Sequence, residues 1–239
     1  MTATRALAVV FERDAGPGVF AEASGARGVE LESWIFDGRT APPHHPSDYD
    51  AVLVFGGSMH PDQEDTHPWL RQAKALLREL LERGMPLFGV CLGGQLLADA
   101  VGPSSRPARQ PELGWYEVEL TPDGERDPVF GPLAPRFTAF GWHRYEFALP
   151  RGGTPLAISA ACLQAFRLGD VAWAIQFHAE VTAEDADAWI EDDRDKPDAA
   201  RIVGDFDALR EHTRVAMGTW NELGRGLCER FLVAAATRA

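Results

Sequence analysis

A short apolar run meets a cysteine and two glycines in residues 86–102, PLFGVCLGGQLLADAVG. The residues before Cys91 predict a strand that is covered on both faces, and the residues after it predict the start of a helix. Residues 89–93 have the form G-x-C-x-G, the cysteine version of the sharp strand-to-helix turn that presents a nucleophile. Such a turn would place Cys91 at the carboxyl end of a sheet strand, where open α/β sheets bind their ligands.

A helix that begins beneath the sulfur would also favour the thiolate, because its dipole and free N–H groups stabilise negative charge. Gly93 and Gly94 would each cost about 1 kcal/mol relative to Ala inside that helix. Close approach of the backbone to a ligand would offset this cost. The alternative, from this pattern alone, is a structural cysteine in a glycine-rich packing site. Cys162 and Cys228 lack the pattern, and we interpret both as packing cysteines.

The rest of the chain predicts the fold class. Apolar runs typical of buried strands occupy residues 6–11, 49–57 and 86–90. Between the last two, apolar residues recur at helical spacing from Pro68 until Gly84 ends the run. Strands that alternate with helices predict βαβ units, and the second half adds further strands and one or two amphipathic helices. We therefore predict a flavodoxin-like α/β fold, a mixed and mainly parallel sheet with helices on both faces, in a single domain over residues 1–239.

Composition restricts the kinds of partner. The chain has 239 residues, of which 45% are hydrophobic and 25% charged, and its formal net charge is −13. We expect neither a nucleic acid nor an anionic membrane as partner, because each would require a basic face. No apolar run is long enough to span a bilayer, and residues 1–16 are typical of a first strand rather than a signal peptide. Three cysteines, an odd number in a chain without an export signal, favour a cytoplasmic location.

A nucleophile needs a base, and the base needs an orienting group. Residues 171–181, VAWAIQFHAEV, supply both at the end of a predicted strand, where His178 and Glu180 would share a face. Glu180 could hold the imidazole in one tautomer while His178 takes the thiol proton. His143, in FGWHRYEFALP, is the alternative base, or a residue that lines the site. Without Cys91, a histidine and a glutamate at a strand end would indicate only an ordinary surface.

Acyl transfer also needs N–H donors for the developing oxyanion. Residues 55–59, FGGSM, end a strand in Gly56 and Gly57, whose backbone N–H groups could serve. Leu92 offers another N–H directly after the nucleophile. A simple tight turn is the alternative interpretation of the two glycines.

Potential metal ligands cluster at residues 59–69, MHPDQEDTHPW, which hold two histidines and three acids. Their spacing fits no standard metal site. The acids would also be favourable at the N-terminus of the helix that Pro68 begins. We therefore predict no metal site.

Taken in order, these segments resemble class I glutamine amidotransferases along nearly the whole chain. GVCLGGQLLADAVG resembles the nucleophile motif G-x-C-x-G-x-Q-L-L-A, and AIQFHAEV resembles the terminal Q-F-H-P-E motif. DYDAVLVFGGSM resembles the strand and oxyanion loop of the family. ELGWYEVELT and FGWHRYEF resemble the E-x-G-W and W-H segments of free-standing members. The nucleophile and Q-F-H-x-E motifs are together highly specific.

The resemblance implies a role for each matching position. Cys91 would attack the side-chain amide of glutamine and form a γ-glutamyl thioester, His178 would protonate the departing ammonia and later activate water, and Glu180 would orient His178. The N–H groups of Gly57 and Leu92 would form the oxyanion hole. The positions implied to contact substrate are Gly56, Gly57, Gln95, His143 and Tyr145. No metal or organic cofactor is implied, and the ammonia would pass to a separate synthase or other acceptor enzyme.

The chain departs from the family pattern in three places. Ala179 stands where Q-F-H-P-E has proline, which leaves both functional side chains present. Arg144 and Tyr145 replace a small residue and an acid after the W-H pair. The acidic segment 191–208 and the last helix match no shared motif. These departures leave two alternatives, a hydrolase of γ-glutamyl peptides or conjugates, and a non-catalytic binding or regulatory subunit that keeps the fold.

Overall fold

The computed structural model describes residues 5–237, which form nine strands and six α-helices. The strands are β1 Arg5–Val10, β2 Glu30–Ile35, β3 Ala51–Val54, β4 Leu87–Val90, β5 Ser105–Leu120, β6 Arg136–Phe147, β7 Gly153–Ser159, β8 Leu163–Leu168 and β9 Ala172–Ile175. The helices are α1 Val19–Ala26, α2 Trp69–Glu82, α3 Leu92–Ala100, α4 Ala183–Asp193, α5 Pro197–Val203 and α6 Phe206–Ala236.

All nine strands join one sheet, in the order β2-β1-β3-β4-β9-β8-β7-β5-β6. The pairings from β2 to β9 are parallel, and those from β9 to β6 are antiparallel. The predicted α/β class with a mixed sheet is confirmed. The last strand of the chain, β9, lies beside β4 in the middle of the sheet, so the segments that follow β4 and β9 emerge at the same edge.

Helices cover both faces of the sheet. Alternate residues of each strand point to opposite faces, so each strand contributes to two cores. On one side, Ala6 and Ala8 of β1 belong to a core that includes residues of α1 and α6. On the other side, Leu7 and Val9 belong to a core that includes residues of α2 and α3. The strands of the parallel half are therefore buried on both faces, as their continuous apolar runs predict.

The predicted helix after Pro68 is confirmed, with Pro68 at its N-cap and Gly84 in a left-handed conformation (φ +70°) after its end. The C-terminal segment forms one helix, α6, rather than two, and the Asp205 side chain accepts a hydrogen bond from Ala208 N–H at its start. Within residues 5–237 no helix is both long and apolar enough to cross a membrane. The prediction of a single domain includes residues 1–4 and 238–239, which lie outside the described residues.

Candidate active site

Cys91 lies at the turn between β4 and α3, as the G-x-C-x-G pattern predicts. Its backbone has φ +50° and ψ −110°, and among the described residues no other non-glycine has a positive φ. This conformation is strained for an L-residue and is typical of functional sites. Cys91 N–H donates to Ile175 O on the neighbouring strand β9 at 2.8 Å, and the residue is 6% exposed.

The glycines around Cys91 allow α3 to lie directly on the sheet. A Cβ atom on Gly93 would be 2.0 Å from Val54 O of β3, and one on Gly94 would be 3.0 Å from Ile175 O of β9. A Cβ on Gly89 would meet Gly93 at 2.8 Å. Approach of a ligand was one predicted reason for Gly93 and Gly94, and close packing was the alternative. The atoms that approach them are instead carbonyl oxygens of neighbouring strands.

His178 and Glu180 follow β9 in an irregular segment rather than in the strand itself, which ends at Ile175. Their side chains nevertheless meet, because the chain turns there, and His178 Nδ1 lies 2.7 Å from Glu180 Oε1. Both residues are buried. Both His178 and Cys91 line the same cavity, and since Nδ1 faces Glu180, Nε2 is the ring nitrogen left for the sulfur.

Burial alone would lower the pKa of His178, because it disfavours the charged ring. The charge of Glu180 and the sulfur of Cys91 outweigh burial and raise the pKa above its ordinary value. The electrostatics therefore favour an imidazolium beside the sulfur, which is the arrangement that activates a cysteine nucleophile.

Gly57 and Leu92 line the cavity together with Cys91, and Gly56 lies beside Cys91. A Cβ on Gly56 would be 3.0 Å from His178 Cε1 and 3.8 Å from Cys91 Cβ, and one on Gly57 would be 3.2 Å from Leu92 Cδ2. Leu92 is the first residue of α3, where backbone N–H groups have no acceptor within the helix. These three predicted residues therefore lie close together beside Cys91.

Gln95 is 2% exposed and bonds within the protein. Its Nε2 donates to Tyr145 O at 3.0 Å and to Gln176 Oε1 at 3.2 Å. Gln176 in turn donates from Nε2 to Cys91 Sγ at 3.6 Å. Gln176, the first residue of the Q-F-H-x-E motif, was not among the predicted site residues. That motif was the signal that could have indicated it.

His143 is buried on β6 with both ring nitrogens engaged. Nε2 lies 2.9 Å from Glu112 Oε2, and Nδ1 lies 3.0 Å from Tyr145 O. His178, by contrast, has only Nδ1 engaged by a carboxylate and lines the cavity together with Cys91. This geometry favours His178 over His143 as the base, and leaves His143 in the wall of the cavity.

Cys162 does not lie in an apolar packing site as predicted. It is half-buried beside His143 and Glu112, and its Sγ is 3.7 Å from Glu112 Oε2. Burial and the nearby Glu112 charge raise the pKa of the Cys162 thiol, so the thiol stays protonated. These three side chains form the one group of potential metal ligands within residues 5–237, and hydrogen bonds between them and Gln164 occupy Glu112 Oε2. Cys228 is fully buried beside Ser24, as predicted for a packing cysteine.

Met59 and His60, the first residues of the stretch with two histidines and three acids, line the cavity. Tyr145 donates from its hydroxyl to Asp62 at 2.9 Å and stacks on His60 with ring centroids 4.1 Å apart. Glu64 pairs with Lys74 and Arg71 instead of facing the histidines. Tyr145 is therefore held in place by the stretch that precedes α2.

The cavity above Cys91 has a volume of about 340 Å³, within the range of small-molecule sites. The acidic segment that matches no shared motif supplies its opposite wall, through Asp192, Asp193 and Lys196. Arg144 ties this wall to β6, because it donates to Asp193 at 2.9 Å and to Asp198 at 2.6 Å. Two of the departures from the family pattern, Arg144 and the acidic segment, thus contact each other.

Comparison with known proteins identifies the family. A family model described as glutamine amidotransferase class-I matches residues 19–194, most of the chain, so the protein belongs to this family. Its members are cysteine-dependent amidotransferases and hydrolases.

Individual relatives cover much of the chain. A putative glutamine amidotransferase-like protein, YfeJ from Salmonella typhimurium, is 28% identical over 77% of this chain and 78% of its own length. A gamma-glutamyl-L-1-hydroxyisopropylamide hydrolase from Pseudomonas sp. is 30% identical over 57% of this chain and 49% of its own. The crystal structure of a glutamine amidotransferase from Thermotoga maritima superposes with a TM-score of 0.85 at 28% identity, covering 96% of this chain and 98% of that one. Subunits of GMP synthase are also among the relatives.

Proposed function

We propose that this protein hydrolyses the side-chain amide of glutamine through a γ-glutamyl thioester on Cys91. The observation that carries the proposal is that Cys91 and His178 line one cavity, with the His178 ring held through Nδ1 by Glu180. Cys91 occupies a strained strand-to-helix turn, so its sulfur is held at the base of the cavity. A buried thiol, imidazole and carboxylate in this order are the groups that amide hydrolysis needs.

In the first half of the reaction, the Cys91 thiolate attacks the amide carbon. The negative charge that develops on oxygen is stabilised by the N–H groups of Gly57 and Leu92. The carbon–nitrogen bond then breaks, the imidazolium of His178 gives its proton to the departing nitrogen, and ammonia leaves a thioester on Cys91.

In the second half, His178 takes a proton from water as the water oxygen attacks the thioester carbon. The carbon–sulfur bond breaks, Cys91 leaves as the thiolate beside the newly formed imidazolium, and glutamate is released. Glu180 stabilises that imidazolium in both halves. These steps use protein groups alone.

The proposed substrate contacts divide into two kinds. Gly56 lies beside Cys91 and Tyr145 lies in the cavity wall, and both contact the glutamyl group. Gln95 and His143 both bond to Tyr145 O, so they act by fixing this wall. The proposed ammonia acceptor is a separate synthase or other enzyme in the cytoplasm, a proposal that the GMP synthase subunits among the relatives support.

A second candidate is hydrolysis of a larger γ-glutamyl amide. The wall held by Arg144 favours it, because Arg144 and the acidic segment are the parts of the cavity that depart from the family pattern. The Pseudomonas relative, named for a γ-glutamyl amide, supports it as well. In this alternative the same thioester forms, and an organic amine leaves in place of ammonia.

Steady-state kinetics separate the candidates. We expect the wild type and Cys162→Ala to release glutamate and ammonia from glutamine, with or without cell extract, and Cys91→Ala to release none. If a γ-glutamyl conjugate gives a much higher kcat/KM than glutamine, the second candidate replaces the first.

A chemical label addresses the non-catalytic alternative. A glutamine-like electrophile is expected to modify Cys91 of the wild type, as detected by mass spectrometry, and to leave His178→Ala largely unmodified. If Cys91 of the wild type stays unmodified under conditions that label a known amidase, the protein is a binding subunit and the proposal is wrong.

A further inference from the structure

The segment that carries His178 and Glu180 is held through its carbonyl oxygens. Trp220 Nε1 of α6 donates to His178 O at 2.8 Å, and Asn221 Nδ2 of the same helix donates to Val181 O at 2.7 Å. Val19 N–H at the start of α1 donates to Glu180 O at 2.8 Å. Three hydrogen bonds therefore hold the carbonyl oxygens of this segment.

The remaining carbonyl of the segment is held by close packing. A Cβ atom on Gly224 of α6 would be 1.9 Å from Ala179 O, so α6 approaches this oxygen as closely as only glycine permits. Gly18 (φ +45°) makes the same approach to Glu180 O, where a Cβ would be 2.0 Å away. Each of the four carbonyls from His178 to Val181 therefore faces α6 or the start of α1.

The segment needs such support because it lies outside the sheet. β9 ends at Ile175, and His178 N–H donates to Phe140 O. Ala179 leaves its own φ free, whereas a proline there would fix it. The carbonyl contacts therefore hold the backbone conformation on which the distance between His178 and Cys91 depends.

Trp220 is a rigid donor for this purpose. It is 3% exposed and contacts the rings of Phe177 and Phe137, with centroids 5.7 and 6.4 Å away. Asn221 is the only asparagine in the chain. Its amide points to Val181 O, and its side chain also contacts Met217 Sδ at 3.5 Å.

We propose that Trp220 and Asn221 of α6 are positioning residues, which hold the backbone of residues 178–181 so that the His178 ring stays between Cys91 and Glu180. The expected effect on catalysis rests on the proposed function. The position of the His178 ring beside the Cys91 sulfur can be tested without it. The C-terminal helix, which matches no shared motif, then takes part in the site without contacting substrate.

Two variants test the proposal without any substrate. Trp220→Phe keeps an aromatic ring and removes the indole N–H, and Asn221→Leu keeps the side-chain shape and removes the amide. In both, the titration of the His178 ring, followed by NMR of protein labelled in its histidines and assigned with His178→Gln, is expected to shift toward the ordinary histidine pKa. The rate of Cys91 alkylation by iodoacetamide at neutral pH is expected to fall about tenfold, a modest loss for a misplaced base.

Matched controls separate positioning from stability. Trp34 lies on β2, and its indole N–H donates to Thr40 O at 3.1 Å. Trp34→Phe removes this donor, so it should lower the melting temperature without changing the His178 pKa or the Cys91 alkylation rate. Asn221→Gln keeps the amide donor and is expected to recover much of the wild-type alkylation rate. If Trp220→Phe does not fold, the Asn221 pair decides the test.

The outcomes of this test differ from those of the proposed function. Folded variants with an unchanged His178 pKa and alkylation rate overturn the positioning role, even if wild type hydrolyses glutamine. If wild type shows a raised His178 pKa and a reactive Cys91 that both variants lose, the positioning role holds, even where glutamine is not hydrolysed.

Discussion

At the scale of single residues, the candidate site concentrates features that oppose folding. Cys91 adopts a positive φ, and Glu180 is 2% exposed, with Oε2 lacking a hydrogen-bond partner among the described residues. A buried carboxylate is unfavourable unless a partner compensates its charge. The raised pKa of His178 supplies that partner in its charged form.

Glu180→Gln is expected to change how stability depends on pH. The folded-state pKa of His178 is raised above the unfolded value of about 6.5. The stabilisation from the charged ring is therefore fully present below about pH 6.5 and is lost as the pH rises through the folded-state pKa. The difference in the free energy of unfolding between wild type and Glu180→Gln should be largest near about pH 6 and smaller at alkaline pH.

Denaturant titrations at several pH values measure this difference. Glu211→Gln is the control, since Glu211 pairs with Arg214 on the exposed surface and its removal should give a small difference without this pH dependence. A Glu180→Gln difference that grows toward alkaline pH would contradict the raised pKa of His178.

At the scale of elements, α3 contributes position rather than intrinsic helix stability. Its two glycines disfavour a helix, and nearly all of its residues are buried against the sheet. Gly93 N–H donates to Phe55 O at 3.1 Å, so the first turn of α3 is tied to the segment that leads to Gly56 and Gly57. The position of this first turn decides where the N–H of Leu92 lies relative to those of the glycine loop.

Gly93→Ala is expected to destabilise the protein although alanine is the better helix former. The added methyl group would overlap Val54 O, and we expect a loss of about 3 kcal/mol in the free energy of unfolding, toward the upper end for overpacked cores. Gly218→Ala in α6 is the matched control, because nothing lies within 4 Å of its Cβ position, and it should be stabilising by up to about 1 kcal/mol. Urea denaturation of both variants tests this, and a neutral Gly93→Ala would show that α3 can shift away from β3.

At the scale of the whole molecule, the site depends on contacts between segments that are far apart in sequence. Cys91 follows β4 and His178 follows β9, and these strands are neighbours in the sheet. Arg144 on β6 connects the same site to α4 and α5, because its guanidinium lies between Asp193 and Asp198. The acidic segment is thus part of the cavity rather than a separate appendage.

Arg144→Met is expected to loosen this wall. The side chain of Asp193 is 4% exposed and would keep Lys196 as its one ionic partner within residues 5–237, so we expect the free energy of unfolding to fall by about 2 kcal/mol. Arg214→Met, which breaks an exposed pair, should change it by less than about 0.5 kcal/mol. Protease cleavage within residues 194–205 should also accelerate in Arg144→Met. Equal stability of the two variants would show that the wall holds without Arg144.

The sequence by itself determined the local conformations and the residue types of the candidate site. A continuous apolar run predicts β4, which is buried on both faces, and a period of 3.6 residues predicts α2, which buries one face. The G-x-C-x-G motif identifies Cys91 because the motif predicts a local turn. The Q-F-H-x-E motif identifies His178 and Glu180 because the two residues lie only two apart.

Only the tertiary structure decided which groups these residues meet. Gln95 and His143 bond to Tyr145 O, Gln176 donates to the sulfur of Cys91, and the glycines of α3 face strand carbonyls. Apart from His143 and Tyr145, which lie two residues apart on β6, these partners are distant in sequence from the residues they contact. A motif specifies residue types without specifying which atoms distant strands bring beside them. The same reason explains why α6, which has no motif, holds the segment of His178 and Glu180: its contacts arise from packing across the whole sheet.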